Sequence, residues 1–388
     1  MFSSRVPRSI AANAVTHAID RLRTAGVPLI DLTETNPTQV GLPYALDLHA
    51  GLASPSALLY TPEPIGLPMA REAAAREFAR QGARVSADRV VITASTSDAY
   101  AVLFKLLCDA GDEVLIPQPS YPLFELLSRL DSVTTVPYAL QPHAAWALDR
   151  HSLERARTSR TRAVLVVSPN NPTGSVLSAD DHRWLATWCA ANDLALIVDE
   201  VFLDYPLREA ALTTAAALET EALTFCLGGL SKSAGLPQMK LGWMAITGPD
   251  ALVADALHAI ELITDTYLSV STPVQVAATS LITNGADVRA SIHARVRENL
   301  AQCRALVAGQ PAVTMLEPDA GWTVVLRVPA TESEELRVLR LLEQAHVLVH
   351  PGYFFDFATE AYLVLSLLPA PAVFADGVAR VLADAHVQ

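Results

Sequence analysis

A lysine and an aspartate each follow an apolar run of the chain, at positions where a charge is costly. Lys232 comes directly after the run LTFCLGGL and Ser231, and Asp199 comes directly after the run LALIV. An ionised side chain at the end of a buried strand loses hydration free energy unless it is paired or gives up its charge. Asp199 therefore indicates a cationic partner, such as an arginine or a protonated ring nitrogen. A structural salt bridge or a helix cap is the alternative.

Polar or aromatic side chains follow three further apolar runs. Ser95, Thr96 and Ser97 open a helix after RVVIT, where hydroxyls and backbone N–H groups can bind a phosphate. Ordinary N-capping is the alternative there. Tyr121, in QPSYP, offers either an aromatic platform or simple packing. Asn171, in SPNNPTG, offers either an amide donor or a well-formed turn.

The elements that must position these side chains are short strands alternating with helices between residues 89 and 248. Six apolar runs of strand length, rich in Val, Ile and Leu, are bounded by Gly, Pro, Asp or Ser. Such alternation predicts a mainly parallel sheet covered by helices. Ligands bind outside the carboxyl ends of the strands in such sheets, so we expect the polar side chains to meet at one edge.

One cofactor, pyridoxal phosphate, needs this whole set of groups. A lysine forms an imine with its aldehyde, and a carboxylate keeps its pyridine nitrogen protonated so that the ring can accept electrons from a carbanion. An amide binds the ring hydroxyl, an aromatic side chain covers one ring face, and a helix start binds the phosphate. The sequence therefore predicts a pyridoxal-phosphate site at this edge of the sheet.

The remainder of the chain indicates a second, smaller domain. A long helical region follows the last strand, and strand-like segments such as VTMLEPDAGWTVVLRVP and AYLVLSLL come after it. Chain termini often lie together, so the N-terminal residues can pack there too. We predict a large domain over residues 46–285 and a small α+β domain from residues 1–45 plus 286–388.

Composition limits the classes of partner. The 388 residues are 51% hydrophobic and carry a formal net charge of −13, which argues against nucleic acid or an acidic membrane as a partner. The four cysteines are far apart in the sequence and form no metal-binding spacing, so they are expected to be free thiols of a reducing compartment. We therefore expect a cytoplasmic protein without a metal site.

The chain resembles the fold-type I pyridoxal-phosphate enzymes, and among them the class I/II aminotransferases. GDEVLIPQPSYP, SPNNPTG, VDE and LSK occur in the order of that family, and the likeness runs from DLTETNPT to the C-terminus. The resemblance implies a mainly parallel seven-stranded sheet wrapped by helices. It also implies an amino donor, a keto acceptor and a homodimer with shared active sites.

The resemblance also implies roles for single residues. Lys232 corresponds to the imine lysine and proton carrier, Asp199 to the partner of the pyridine nitrogen, Asn171 to the donor to the ring oxygen, and Tyr121 to the stacking ring. The implied phosphate contacts are Ser95, Thr96, Ser97, Ser231, Lys240 in place of the usual arginine, and Tyr60 from the partner subunit.

Three positions depart from the family pattern. Phe202 replaces a tyrosine that donates to the ring oxygen, and Gly229 replaces a serine on the phosphate. Val364 stands where an arginine usually clamps the α-carboxylate of the substrate. His350 and Arg327 are candidate substitutes for that arginine, although a structural role is the better expectation for each. Without that arginine, either another group binds the carboxylate or the substrate lacks one there, so amines and amino alcohols without a carboxylate belong among the donors to be tested.

The sequence thus favours an aminotransferase that works through Lys232. The same carbanion chemistry supports a lyase, a decarboxylase or a racemase on the same fold, and this alternative stays open. A non-catalytic effector domain that binds pyridoxal phosphate is a further alternative. The substrate itself is not indicated by the sequence.

Overall fold

The computed structural model describes residues 2–7, 13–142, 145–209, 212–268 and 270–385. Twelve α-helices lie within these ranges: α1 Ala14–Thr24, α2 Pro68–Arg80, α3 Thr96–Leu107, α4 Leu123–Leu130, α5 Arg150–Ala156, α6 Ala179–Ala191, α7 Leu230–Ser233, α8 Asp250–Tyr267, α9 Thr272–Asn284, α10 Ala286–Val307, α11 Glu334–Arg340 and α12 Pro371–Asp384. No helix among them is both long enough and apolar enough to cross a bilayer.

The larger sheet contains eight strands within the described ranges: β2 Val90–Thr93, β3 Glu113–Gln118, β4 Thr134–Gln141, β5 Ala147–Leu148, β6 Thr161–Val167, β7 Ala195–Asp199, β8 Thr224–Gly229 and β9 Gly242–Thr247. Their order is β2-β9-β8-β7-β6-β3-β4-β5. β9 and β5 run antiparallel to their neighbours, and the other six strands run in one direction. The predicted fold class is confirmed; the eighth strand is the two-residue edge strand β5.

Both faces of this sheet are buried, which explains why its central strands are apolar without alternation. Along β7, Leu196 and Val198 belong to one hydrophobic cluster, and Ala195 and Ile197 belong to another on the opposite face. Strands covered by helices on both sides require apolar residues at successive positions.

The smaller sheet is antiparallel, with the order β10-β11-β14-β13, where β10 is Thr314–Leu316, β11 is Thr323–Arg327, β13 is His350–Pro351 and β14 is Tyr362–Ser366. The N-terminal segment packs beside it, because β1 (Ile30–Asp31) pairs in parallel with β12 (Val347–Leu348). The backbone N–H of Ser366 also donates to the Leu32 carbonyl at 2.7 Å. The bounds of the two domains stay a prediction.

A charged cluster around the buried Glu77 lies next to the backbone that carries Lys232. Glu77 on α2 is 3% exposed and accepts from Arg80 Nε at 3.1 Å and from Arg289 Nη1 at 3.1 Å. Arg80 also pairs with Asp204. Arg289 Nη1 donates to the Ser233 carbonyl at 3.2 Å, and Ser233 directly follows Lys232. One carboxylate therefore organises two arginines, and one of these holds the backbone next to the lysine.

Replacing Glu77 with alanine removes a buried carboxylate that hydrogen-bonds both arginines and leaves Asp204 as their remaining shared anion. We expect Glu77→Ala to lower the free energy of unfolding by about 2–3 kcal/mol, measured by urea denaturation. Glu72, on the same helix, is exposed and lies 3.9 Å from Arg76, so Glu72→Ala is the control and should leave stability unchanged. Equal midpoints for the two variants would contradict a supporting role for the Glu77 cluster.

Candidate active site

A cavity of about 370 Å³ lies where the parallel strands end. Nine of the ten predicted site residues line it: Ser95, Thr96, Ser97, Tyr121, Asn171, Asp199, Ser231, Lys232 and Lys240. Residues from outside the larger sheet complete its wall, namely Thr35, Trp322 and Thr323. Tyr60 is not part of this cavity and is 71% exposed. The structure thus brings the predicted set together at one edge, with Tyr60 on the outer surface.

The amine of Lys232 lies against two aromatic rings. Its Nζ is 4.8 Å from the ring centroid of Trp322 and 5.6 Å from that of Phe202. Burial lowers the pKa of Lys232 from 10.5 to about 8, and the charge of Asp199 opposes this shift. The unprotonated fraction of the amine near neutral pH is therefore much larger than that of a free lysine, at about one tenth, and the unprotonated form is the one that attacks a carbonyl carbon.

The backbone of Lys232 makes a contact that the sequence did not indicate. Tyr205 is fully buried, and its hydroxyl donates to the Lys232 carbonyl. The Tyr205 ring packs edge-on against Trp322, with centroids 5.1 Å apart. Tyr205 lies 27 positions before the lysine, so no local pattern could reveal the contact. Its role is to fix the peptide that carries the reactive amine.

Asp199 ends β7 and is 6% exposed. Its Oδ2 accepts from the Tyr100 hydroxyl at 2.5 Å, and its Oδ1 accepts from the Val201 backbone N–H at 3.1 Å. Burial raises the pKa of Asp199, while the two donors and the charge of Lys232 oppose this. Tyr100 also lines the cavity and is therefore a candidate site residue that sequence reasoning missed. An aromatic residue in a helix usually indicates packing, and its partner is 99 positions away.

The start of α3 combines capping with an open set of donors. Ser95 Oγ accepts from the Asp98 backbone N–H at 3.1 Å, and Asp98 Oδ2 accepts from the Ala94 N–H at 2.9 Å. Ser95 thus acts as an N-cap, which was the alternative interpretation. Thr96 and Ser97 line the cavity beside it. A helix start with hydroxyls facing a cavity suits an anion.

Gly229, one departure from the family pattern, lies at a close approach of two strands. Gly229 and Gly242 face each other across β8 and β9. A Cβ on Gly229 would lie 3.1 Å from the Gly242 Cα and 3.1 Å from the Leu241 carbonyl oxygen. A serine at this position would therefore require the neighbouring strand to shift by a few tenths of an ångström. Lys240, just before β9, adds the cation on this side.

The amide of Asn171 supports the fit of pyridoxal phosphate. Its Oδ1 is buried and has no hydrogen-bond partner within the described ranges. Tyr121 lines the same cavity, is 40% exposed, and packs edge-on against Phe124 at 6.1 Å. An amide with an unpaired oxygen, an accessible ring, a carboxylate and two lysines in one cavity match the donor set that this cofactor needs.

Comparison with known proteins identifies the family. The family model described as aminotransferase class I and II matches residues 28–369, so the chain belongs to that family. It is therefore a pyridoxal-phosphate-dependent aminotransferase. Glutamate-pyruvate aminotransferase AlaA of Haemophilus influenzae is 25% identical over 358 residues, covering 90% of this chain and 88% of the relative. Nicotianamine aminotransferase A of Hordeum vulgare is 28% identical over 331 residues, covering 82% and 71%.

Solved structures agree on the fold. An alanine aminotransferase from Pyrococcus furiosus superimposes with a TM-score of 0.89 at 23% identity, covering 98% of both chains. An aspartate aminotransferase double mutant from Thermus thermophilus gives a TM-score of 0.86 at 24% identity, covering 99% of both chains. The predicted fold type I architecture is thereby confirmed.

Removing the Tyr100 hydroxyl should weaken cofactor binding through Asp199. Loss of a donor to the carboxylate raises the Asp199 pKa further, so less carboxylate is available for a protonated ring nitrogen. We expect Tyr100→Phe to raise the Kd for pyridoxal phosphate about tenfold, measured by fluorescence titration. Because the carboxylate is the binding form, binding should be lost as pH falls, and Tyr100→Phe should shift this loss to higher pH.

Tyr138→Phe provides the matched control. Tyr138 is also buried, and its hydroxyl donates to the Leu165 carbonyl at 2.9 Å. This control removes a buried tyrosine hydroxyl without touching Asp199, so its Kd and pH profile should match those of the unmodified protein. A Tyr100→Phe profile that follows the control would rule out the role assigned to Tyr100.

Proposed function

We propose that Lys232 holds the cofactor covalently and carries the proton during amino transfer. When bound, pyridoxal phosphate supplies a carbonyl that takes the amino group and a ring that accepts the electrons of the α C–H bond. Once the amino donor has displaced Lys232 from the cofactor, the free lysine amine can remove the α-proton of the donor and deliver it to the carbon of the cofactor's aldehyde. Its lowered pKa supports this role, because an efficient proton carrier has a pKa near the working pH.

The other cavity residues bind and orient in this proposal. Asp199 stabilises positive charge on the ring nitrogen, Asn171 donates to the ring oxygen, and Tyr121 covers one ring face. Ser95, Thr96, Ser97, Ser231 and Lys240 bind the phosphate. The single observation that carries the proposal is the convergence of Lys232, Asp199 and the α3 start on one cavity.

Chemical trapping tests the assignment of Lys232. After reduction with borohydride, we expect peptide mapping to find the cofactor mass on Lys232 in the unmodified protein. In Lys232→Ala this label should be absent, and turnover should fall at least about 100-fold because the proton carrier is lost.

Lys240→Ala is the control for this experiment. Lys240 is the second lysine of the cavity and is proposed to contact only the phosphate, so the variant should keep the label on Lys232. Cofactor affinity should fall in this variant. A label on Lys240, or full turnover in Lys232→Ala, would refute the proposed roles.

We further infer that the working form is a homodimer in which Tyr60 reaches the phosphate of the partner subunit. Leu58, Leu59 and Tyr60 form an exposed apolar run, at 87%, 65% and 71% exposure. Tyr267 and Leu268, at the end of α8, are each 69% exposed. Exposed apolar residues on this scale favour burial in an interface. In a twofold dimer every contact occurs twice, so the Tyr60 of each subunit would reach the site of the other.

The dimer inference predicts a change in assembly state. Sedimentation at micromolar concentration should give a dimer for the unmodified protein, and Leu58→Asp should shift it toward monomer because a charge would be buried. Leu336→Asp is the control, since Leu336 is 58% exposed on α11 and should leave the dimer intact. A monomer without any substitution would contradict the inference.

Two coarser expectations complete the proposal. We infer a cytoplasmic location, which is supported by four free cysteines that suit a reducing compartment. We also propose residues 46–285 as the cofactor-binding domain, with residues 1–45 and 286–388 forming the small domain. Positions 8–12 belong to the proposed small domain but lie outside the described ranges.

A further inference from the structure

Positive charge is scarce in the cavity that contains Lys232. Among the described side chains that line it, the only cationic ones are Lys232 and Lys240. The proposed function uses Lys232 for the covalent link and Lys240 for the phosphate. The lining described here includes no arginine and no histidine that could pair with a second anion.

The charge balance disfavours a further anion. A bound phosphate carries about −2 charges, and Asp199 adds one more when ionised. Lys240, a protonated ring nitrogen and the nitrogen of Lys232 supply at most three positive charges, which these three negative ones already balance. A substrate carboxylate would therefore make the cavity net negative and lose hydration without gaining an ion pair from the lining of this subunit.

Val364 offers no replacement cation, and it is not among the described residues that line the cavity. Val364 is 1% exposed and belongs to an apolar cluster. The other members of that cluster are Trp146, Val325, Phe355, Phe357 and Tyr362. Its neighbours across the sheet are Val325 on β11 and His350 on β13. A buried apolar side chain in an apolar cluster cannot clamp a carboxylate.

The two candidate substitutes do not fill the role either. Burial lowers the pKa of His350 to about 4, so its imidazole is neutral at physiological pH, and it stacks on Phe354 with centroids 4.8 Å apart. Arg327 is exposed at the end of β11. Neither residue lines the cavity. The expectation that both have structural roles is consistent with these positions.

The remaining walls around the amine suit an uncharged body. Phe202 and Trp322 lie beside Lys232 Nζ, and Thr35 and Thr323 add hydroxyls to the lining. The Thr323 hydroxyl already donates to the Pro172 carbonyl at 2.7 Å. Aromatic rings with a few neutral polar groups bind apolar or aromatic ligands with hydroxyl substituents.

We propose that the preferred amino donor is a primary amine whose amino-bearing carbon carries no carboxylate, with an apolar or aromatic body. Aralkyl amines and amino alcohols are the class intended. This inference rests on the proposed function. The donor carbon is oxidised to a carbonyl whose oxygen comes from water, and the acceptor carbonyl is reduced to an amine and releases its oxygen as water. Donor and acceptor thus balance the two electrons, and no external oxidant is needed.

Matched donors test this preference in the holoenzyme. L-phenylalaninol differs from L-phenylalanine, and L-alaninol from L-alanine, by a hydroxymethyl group in place of the carboxylate. We expect kcat/KM for each amino alcohol to be at least about tenfold higher than for its amino acid. Equal or faster reaction of the amino acids would overturn the inference while leaving the aminotransferase assignment intact.

A binding measurement decides the question without turnover. Calorimetry should detect 3-phenylpropanol binding to the holoenzyme and find 3-phenylpropionate at least about tenfold weaker. Tighter binding of the carboxylate would overturn the inference. Failure of the proposed function has a different signature, since no donor would react and Lys232 would carry no label; the calorimetric comparison still decides the charge preference in that case.

A gain-of-function variant adds an independent check. Val364→Arg should raise kcat/KM for L-phenylalanine relative to L-phenylalaninol at least about tenfold, because it restores the arginine that the family usually has at this position as a bidentate partner for a carboxylate. Circular dichroism shows whether the variant folds, and the unmodified enzyme with the matched donors suffices if it does not. A folded variant with an unchanged ratio would contradict the view that missing positive charge sets the preference.

Discussion

The active site depends on keeping a lysine and an aspartate together in one cavity where both side chains are buried. Burial alone lowers the pKa of Lys232 and raises that of Asp199, so it favours the neutral form of each. The charge of each residue opposes the shift of the other. This balance leaves Lys232 able to lose its proton while Asp199, supported by Tyr100, can keep its charge. The parallel strands satisfy the constraint geometrically, because β7 and β8 end side by side at the same edge.

Much of this arrangement could be predicted from the sequence because it is encoded locally. Each central strand of the larger sheet is a short apolar run, and the residue that follows it falls at the shared edge through the parallel topology alone. That reasoning predicts that Ser95, Asn171, Asp199 and Lys232 meet at one edge of the sheet, and in the structure all four line one cavity. The same reasoning could not detect β5, which is two residues long and depends on pairing with the end of β4.

The remaining parts of the site depend on contacts between distant segments. Tyr100 to Asp199, Tyr205 to Lys232 and Trp322 to Lys232 each join residues whose relation appears only when the chain is folded. An aromatic residue in an apolar segment has the same sequence signature whether it fills a core or donates to a carboxylate. The sequence did expose the absence of an arginine at position 364, but the neutral surroundings of that position required the structure.

The aromatic ring closest to the amine has a further consequence. Trp322 precedes β11 of the smaller sheet, so the surroundings that lower the basicity of Lys232 are completed by a different part of the fold from the one that carries the lysine. Any movement that draws the smaller sheet away would admit water and return the amine toward the proton affinity of a free lysine. The packing of the smaller sheet against the larger one, rather than the residues next to Lys232 in the sequence, would thus make the amine nucleophilic.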